Sequence, residues 1–341
     1  MARKWLFWFE ELGAEHNDLV GKKCANLGEL THMGLQVPPG FALTLDAYNT
    51  FLSETGVEEE IREYSAQHIG ESPTLSQWTT ASEAIRQIVE SRKMPKDMAE
   101  AIRSRYDSLS QKFGSSDTAV SVRSAGPVSH PGQYETYLNV KGGTDLLEKI
   151  IKVWSSSFNP RSLVYRARND LALESDPIGV AILGMINARA AGVTLTADPN
   201  TGDHSKIVCE ANWGLGESVV SGRTTPDSFV LDKESLEILE KRLGEKEFCI
   251  LCTETGVAEE DVPSEKRLCF CLGDEEVKEI ASYGKFIEDY FNGVPQDVEW
   301  AISDEFPKEN NIFFLQTRPA IIVEKKSATD TILDLMLSRR T

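Results

Sequence analysis

Two short segments near the end of the chain combine side chains that bind phosphate and magnesium. Asp297 and Glu299 occupy alternate positions in QDVEWAI, and Gln316 and Arg318 do so in FFLQTRP. Since residues i and i+2 of a strand face one side, each segment presents two polar groups together. Carboxylate and amide oxygens suit Mg²⁺, and a guanidinium binds phosphate oxygens through two donors. The pattern predicts a surface that binds Mg²⁺ and phosphate. The alternative is a hairpin with a polar outer face and one surface ion pair.

The spacing of these segments predicts that they are neighbouring strands. About nine polar, turn-rich residues separate them, which favours antiparallel pairing. Two acids, an amide and a guanidinium would then converge on one small patch.

A second group of basic residues opens a predicted helix. Residues 20–34 show helical spacing of apolar side chains, and Gly34 is a plausible stop. Lys22 and Lys23 then lie in the first turn, where the helix dipole favours anions over cations. A bound phosphate would reverse that penalty, although two solvated lysines are the simpler interpretation.

Arg123 lies where a predicted strand enters a loop that could bind phosphate. Residues 118–123 predict a strand, residues 124–133 a loop rich in Gly, Ser and Pro, and residues 134–140 a returning strand. The backbone N–H groups of such a loop can wrap phosphates, although a plain hairpin connection is the alternative. The sequence contains neither a Walker A motif nor a G-x-G-x-x-G motif.

Composition narrows the class of protein. The chain has 341 residues, 40% of them hydrophobic, enough for about two lobes of a globular enzyme. The net charge of −18 argues against a nucleic-acid partner, because phosphate-backbone binding depends on clustered Lys and Arg. No apolar run approaches the ~18–20 residues that span a bilayer, and without a signal segment we expect a cytoplasmic protein.

The predicted secondary structure changes from mainly helical to mainly β near the middle of the chain. Helical patterns dominate residues 1–190, β-like runs dominate residues 191–323, and residues 324–341 form a tail. Two cysteine pairs, Cys249/Cys252 and Cys269/Cys271, lie in apolar runs that predict buried strands. A four-thiolate zinc site is the alternative for these cysteines.

Seven segments resemble the N-terminal nucleotide-binding domain of the phosphoenolpyruvate synthase / pyruvate phosphate dikinase family, which also includes rifampin phosphotransferase. They follow the family's order and span nearly the whole chain: VGKKCANLGEL (20–30), SVRS (121–124), PGQYETYLNV (131–140), GVTLTADP (192–199), EANWGLGE (210–217), PQDVEWA (295–301) and LQTRP (315–319). The resemblance implies an α+β ATP-grasp fold, with a helix-rich N-terminal lobe (1–190), a sheet-rich C-terminal lobe (191–323) and the nucleotide site between them.

The resemblance also implies roles for individual residues. Lys23 matches the family lysine at the ATP phosphates, and Arg123 and Arg318 match its two phosphate arginines; these three would act in catalysis as well as in binding. Gly132 and Thr136 match loop positions that close over the nucleotide.

The resemblance implies a magnesium pair as well. Glu299 and Gln316 match the Mg²⁺-coordinating residues, with Asp297 close by. The implied cofactors are therefore ATP and Mg²⁺.

Three positions depart from the family pattern. Lys22 stands where the family usually has glycine, so either lysine can be the one that reaches the phosphates. Leu183 aligns with the family glutamine near the adenine, at a cofactor-binding position. The loop after Arg123 has the length seen in the dikinases, but Pro127 replaces their loop arginine.

The family's phosphorylatable histidine has no match among the five histidines of this chain. The resemblance therefore implies that the chain carries the ATP half-reaction and works with a histidine-bearing subunit or domain. Such a division resembles phenylphosphate synthase, whose final acceptor is phenol; pyruvate is the acceptor in the synthases. The chain could be a separate subunit or an excised domain of a longer synthase or rifampin phosphotransferase, and we expect the separate subunit because the segment after Pro319 looks native.

We expect Mg·ATP to phosphorylate the partner's histidine, with release of AMP and phosphate. Two alternatives stay open at this point. One is an ATP-sensing or activating module without chemistry, and the other is a scaffold that kept the fold without binding nucleotide.

Overall fold

A computed structural model describes residues 4–70, 72–127 and 134–322. Gly132 and the tail, residues 324–341, lie outside this part of the chain. The helices are α1 (Asn17–Val20), α2 (Lys22–His32), α3 (Leu45–Glu54), α4 (Val57–His68), α5 (Leu75–Glu90), α6 (Lys96–Lys112), α7 (Gly143–Ser155), α8 (Pro160–Arg168), α9 (Glu217–Val220), α10 (Ser264–Arg267) and α11 (Asp274–Tyr290). The strands are β1 (Leu6–Trp8), β2 (Gly40–Leu43), β3 (Val120–Ala125), β4 (Thr136–Val140), β5 (Gly179–Gly184), β6 (Ala190–Leu195), β7 (Lys206–Trp213), β8 (Asp227–Asp232), β9 (Ile238–Arg242), β10 (Phe248–Cys252), β11 (Val257–Asp261), β12 (Gln296–Ile302) and β13 (Ile312–Pro319).

The chain divides into two compact units. The first comprises Met1–Asn187, Leu251–Ala258 and Phe313–Gln316, and the second comprises the remaining segments. Within the described ranges, no helix has the length and apolar character needed to cross a bilayer.

The first unit is built on a five-stranded sheet in the order β1-β2-β5-β3-β4. Alternate residues of its central strands feed two different cores, as the two-residue period of a strand requires. Val180 and Ile182 of β5 belong to a large core with Trp154 of α7. Ala181 and Leu183 belong to a smaller core with Leu27 of α2. The sheet therefore has α2 on one face and the larger helical layer on the other.

Helix α2 begins and ends at glycines with positive φ. Gly21 (φ 82) precedes its first residue, and Gly34 (φ 78) follows its last turn. The amide of Gly34 donates to the Thr31 carbonyl and that of Leu35 to the Leu30 carbonyl, which satisfies the end of the helix. The predicted helix with two lysines in its first turn is thus present.

The second unit is built on a six-stranded sheet in the order β13-β12-β6-β7-β8-β9. Helix α11 packs closely on one face, because a Cβ at Gly284 would lie 3.1 Å from the Thr194 methyl carbon. The Trp300 indole nitrogen donates to the Thr194 hydroxyl at 2.9 Å on the same side. The side chains of β12 that face α11 are therefore buried. Because side chains alternate along a strand, Asp297, three positions before Trp300, points to the opposite face of the sheet.

The two cysteine pairs differ in structure. Cys249 and Cys252 lie on β10 as predicted. Cys269 and Cys271 follow α10 outside any strand, and Cys269 is exposed, so the prediction of a buried strand was wrong there. Among the described residues no group of three or more His, Cys, Asp or Glu side chains is arranged to hold a metal ion.

Candidate functional site

On the first unit, the start of α2 lies against the end of β3. A Cβ at Gly21 would come within 1.9 Å of the Ala125 carbonyl oxygen, a spacing that only glycine permits. The Lys22 amide donates to the Gly126 carbonyl oxygen at 3.0 Å. Lys22 and Lys23, both half-buried, therefore stand beside the point where the chain enters the loop after β3.

Arg123 projects from the same face of the sheet. It lies two residues before Ala125, which packs in the core beneath α2. In the antiparallel register it is opposite Thr136 on β4 and Ala181 on β5. Its Nη1 donates to the Leu315 carbonyl oxygen at 3.4 Å. The structure thus brings the lysines, Arg123 and Thr136 to one face, while Gly132 lies outside the described residues.

Leu183 occupies a different environment from the other predicted ligands. Its side chain is 2% exposed and belongs to the core under α2, with Cys24 and Leu27. In this structure the side chain is therefore not available to a ligand.

On the second unit, Asp297 and Arg318 form a bidentate pair. The Nε and Nη2 atoms of Arg318 donate to the same carboxylate oxygen of Asp297, at 2.9 and 2.7 Å. Burial raises the pKa of the Asp297 carboxyl, the Arg318 guanidinium opposes that shift, and the negative charge of Glu299 adds to it. Two acids on one face of β12 therefore share a partly desolvated patch with one arginine.

Gln316, on the strand next to β12, is more buried than its alternation with Arg318 suggested. The residue is 7% exposed, and its Oε1 has no hydrogen-bond partner in the part of the chain that is described. A buried, unpaired amide oxygen is costly in the free protein, which is typical of an atom kept for a ligand. Such an oxygen, together with a carboxylate, suits Mg²⁺, which takes few protein ligands and keeps water and phosphate oxygens.

Glu210 is a further carboxylate, and the sequence pattern alone predicts no role for it. In the sheet register Glu299 of β12 is opposite Val193 of β6, and Val193 is opposite Glu210 of β7. The two glutamates therefore share a face, about 10 Å apart across two strand spacings. Desolvation raises the pKa of Glu210, and no side-chain partner appears for it among residues 4–70, 72–127 and 134–322. The feature of the sequence that could have indicated Glu210 is a single acid within an otherwise apolar strand.

The chain belongs to the family described as pyruvate phosphate dikinase, AMP/ATP-binding domain, which it matches over residues 17–338. This confirms the family predicted from the seven segments and identifies the chain as a dikinase-type ATP-binding domain.

Named relatives are phosphoenolpyruvate synthases. The chain is 36% identical to a probable phosphoenolpyruvate synthase of Methanocaldococcus jannaschii over 95% of its length, but over only 27% of that protein. It is 34% identical to the phosphoenolpyruvate synthase of Pyrococcus furiosus over 97% of its length and 45% of that protein. The chain thus spans less than half the length of these relatives.

The predicted α+β ATP-grasp class is confirmed by the family and by the mixture of helices with two main sheets. Among solved structures, D-alanyl-alanine synthetase A from Vibrio cholerae is similar at 9% identity, over 71% of this chain and 54% of that one. Its TM-score is 0.27, too low to support any further argument.

Proposed function

We propose that this chain carries out the ATP half-reaction of a dikinase-type phosphotransfer. In this reaction Mg·ATP phosphorylates a histidine on a partner subunit or a further domain, one water is consumed, and AMP and phosphate are released. An acceptor such as pyruvate or phenol would then take the phosphoryl group from the histidine. The observation that carries the proposal is family membership combined with the unpaired, buried oxygen of Gln316 on the strand beside Glu299.

Strands β12 and β13 supply the metal ligands and one phosphate ligand in this proposal. Glu299 and the Gln316 amide oxygen would hold Mg²⁺, and the ion would supply positive charge that offsets the charge of the phosphates. Arg318 would exchange part of its pairing with Asp297 for phosphate oxygens, because its fork suits either acceptor.

The first unit supplies cations and backbone donors. Lys23 and Lys22 at the start of α2 would form ion pairs with the phosphates, since anions are favoured at a helix N-terminus. Arg123 would offset charge that develops during transfer. Thr136, opposite Arg123 in the register, would contribute its hydroxyl to nucleotide binding.

The first experiment measures Mg·ATP binding to the chain by calorimetry. Arg318→Ala and Glu299→Gln should each weaken binding at least tenfold, which corresponds to about 1.4 kcal/mol. Arg242→Ala is the matched control, because Arg242 makes an exposed pair with Glu240 on β9 and lies outside the proposed ligand set. Equal affinity of all three variants and the wild type would contradict the proposed ligands.

The second experiment tests the chemistry. The chain is mixed with Mg·ATP and with the part of the Pyrococcus furiosus synthase that lies beyond the matched region, and the nucleotide products are separated. AMP formation that Arg318→Ala abolishes would support the proposal. Formation of ADP alone would overturn it, and binding without any AMP would favour an ATP-sensing module instead.

A further inference from the structure

Thr136, a proposed contact of the nucleotide, is the first residue of an edge strand. Strand β4 lies at the end of the five-stranded sheet, and in the described chain it pairs with β3. Beyond an irregularity in the register, the start of β4 meets β3 through two residue pairs, the last of which joins Thr136 to Arg123. A strand end held by so few backbone contacts frays readily. The position of Thr136 therefore depends on contacts from outside the sheet.

Glu135, directly before β4, is held by three contacts with side chains. The Arg86 Nη2 atom on α5 donates to its Oε1 at 2.5 Å. The Tyr137 hydroxyl donates to its Oε2. Its backbone amide donates to the Ser156 hydroxyl oxygen at 3.1 Å, just beyond α7. These contacts tie the start of β4 to the larger helical layer, on the side of the sheet opposite to α2.

Arg86 stands between two carboxylates. Its Nη2 atom lies 2.5 Å from Glu135 and 3.6 Å from Glu90. The Glu90 carboxylate also accepts from the hydroxyl of Ser155, the last residue of α7, at 2.5 Å. Two carboxylates this close repel one another unless a cation separates them. The Arg86 guanidinium is therefore what allows Glu135 to stay beside Glu90.

Tyr134 anchors the same segment a second time. Its hydroxyl donates to the Asp176 carboxylate at 3.1 Å, and the Asp176 amide donates to the hydroxyl of the buried Tyr48 at 3.3 Å. Burial and the Asp176 carboxylate both raise the pKa of the Tyr134 phenol, so the phenol stays a donor at neutral pH. With Tyr134 and Glu135 both fixed, the next residue, Thr136, is exposed at a defined place.

We infer that Arg86 is a positioning residue, which holds Glu135 and thereby fixes the place of Thr136. The inference rests on the proposed function, because Thr136 is there a contact of ATP. The ion pairs of Arg86 within the described chain are with Glu90 and Glu135, so it acts on the nucleotide through the strand. A binding group works only when its neighbours hold it to within about 0.5 Å, and Arg86 provides that support.

A double-mutant cycle on Mg·ATP affinity tests the inference in the full chain. Arg86→Ala and Thr136→Ala should each weaken binding about fivefold, as measured by calorimetry. Because Arg86 acts through Thr136, the double variant should bind no more than about twofold more weakly than Thr136→Ala alone. Arg86→Lys, which keeps a cation between the two carboxylates, should recover most of the affinity. Two losses that multiply in the double variant would overturn the inference.

Arg62→Ala is the matched control. Arg62 on α4 is 48% exposed and pairs with three carboxylates, those of Glu58, Glu59 and Glu174. Its removal should leave the affinity for Mg·ATP within about twofold of the wild type. An equal loss in Arg62→Ala and Arg86→Ala would show a general effect on the first unit and would overturn the inference.

Amide hydrogen exchange in the nucleotide-free chain separates this inference from the proposed function. Residues 134–137 should exchange faster in Arg86→Ala than in the wild type, while the rest of the first unit keeps its wild-type rates. Unchanged exchange at these residues would overturn the inference even if the chain binds ATP. If the wild type bound no Mg·ATP, the proposed function would fail, and faster exchange in Arg86→Ala would still support the placement of Thr136 by Arg86.

Discussion

Two aspartate–cation pairs in the second unit have similar distances and opposite surroundings. Asp227 and Lys246 lie 2.5 Å apart, and both side chains are completely buried. The Asp227 carboxylate also accepts the amides of Gly244 and Cys271, each at 2.8 Å. The Lys246 ammonium donates to the Gly244 carbonyl as well. This carboxylate is satisfied by the protein itself.

The pair of Asp297 and Arg318 is arranged differently. Its side chains are 14% and 23% exposed, and a single carboxylate oxygen receives both hydrogen bonds. Glu299, a second acid nearby, raises the pKa of Asp297 further. Removing one partner from a pair that has no access to water strongly destabilises a fold, whereas a pair that water reaches, with a second acid nearby, is typical of a site that binds a cation or phosphate.

The largest effect expected from this comparison is on stability. Lys246→Ala would leave the Asp227 charge buried without its partner, and the free energy of unfolding should fall by about 3–5 kcal/mol. Denaturant unfolding measures it. Lys241→Ala, which breaks a more exposed pair with Asp274, is the control and should cost no more than about 1 kcal/mol.

Arg318→Ala sharpens the contrast, because water can reach that pair. Its unfolding free energy should fall less than that of Lys246→Ala, although its nucleotide affinity falls more. If Arg318→Ala proved the more destabilising of the two, the division into a structural pair and a functional pair would be wrong.

A second contrast separates two buried glutamines on neighbouring strands. Gln316→Leu removes an amide oxygen that has no described partner, so the unfolding free energy should change by less than about 1 kcal/mol. In this variant, the factor by which Mg²⁺ increases the affinity for ATP should fall at least tenfold. Calorimetry with and without Mg²⁺, together with denaturant unfolding, measures both quantities.

Gln296→Leu is the matched variant. The Gln296 side chain accepts from the Thr317 hydroxyl at 2.9 Å and donates to the Val294 carbonyl at 2.8 Å. It should therefore lose stability and keep the Mg²⁺ dependence of ATP binding. The reverse outcome for the two glutamines would show that the unpaired oxygen of Gln316 has no part in binding.

Some of these features could be predicted from the sequence and others could not, for physical reasons. Asp297 and Glu299 were placed on one face because strand periodicity is local and regular. The burial of Gln316 and the partnership of Asp227 with Lys246 depend on contacts between segments that are distant in sequence. Lys246 lies in the polar run GEKE, where a solvated lysine is the ordinary expectation. Local pattern thus predicted the elements, and tertiary packing decided which polar groups are satisfied.

The smallest expected effect concerns Glu210, the acid whose pKa burial raises without any described cation nearby. Because the raised pKa favours the neutral form, this group stabilises the fold below its unfolded pKa. That contribution is lost as the pH rises through the folded pKa. Glu210→Gln should therefore raise the midpoint of thermal unfolding by ~1 °C at neutral pH, and the gain should vanish in acid. Calorimetric scans across this pH range measure it. A variant less stable than the wild type at neutral pH would mean that a cation compensates Glu210, and the acid would then belong with the satisfied pair.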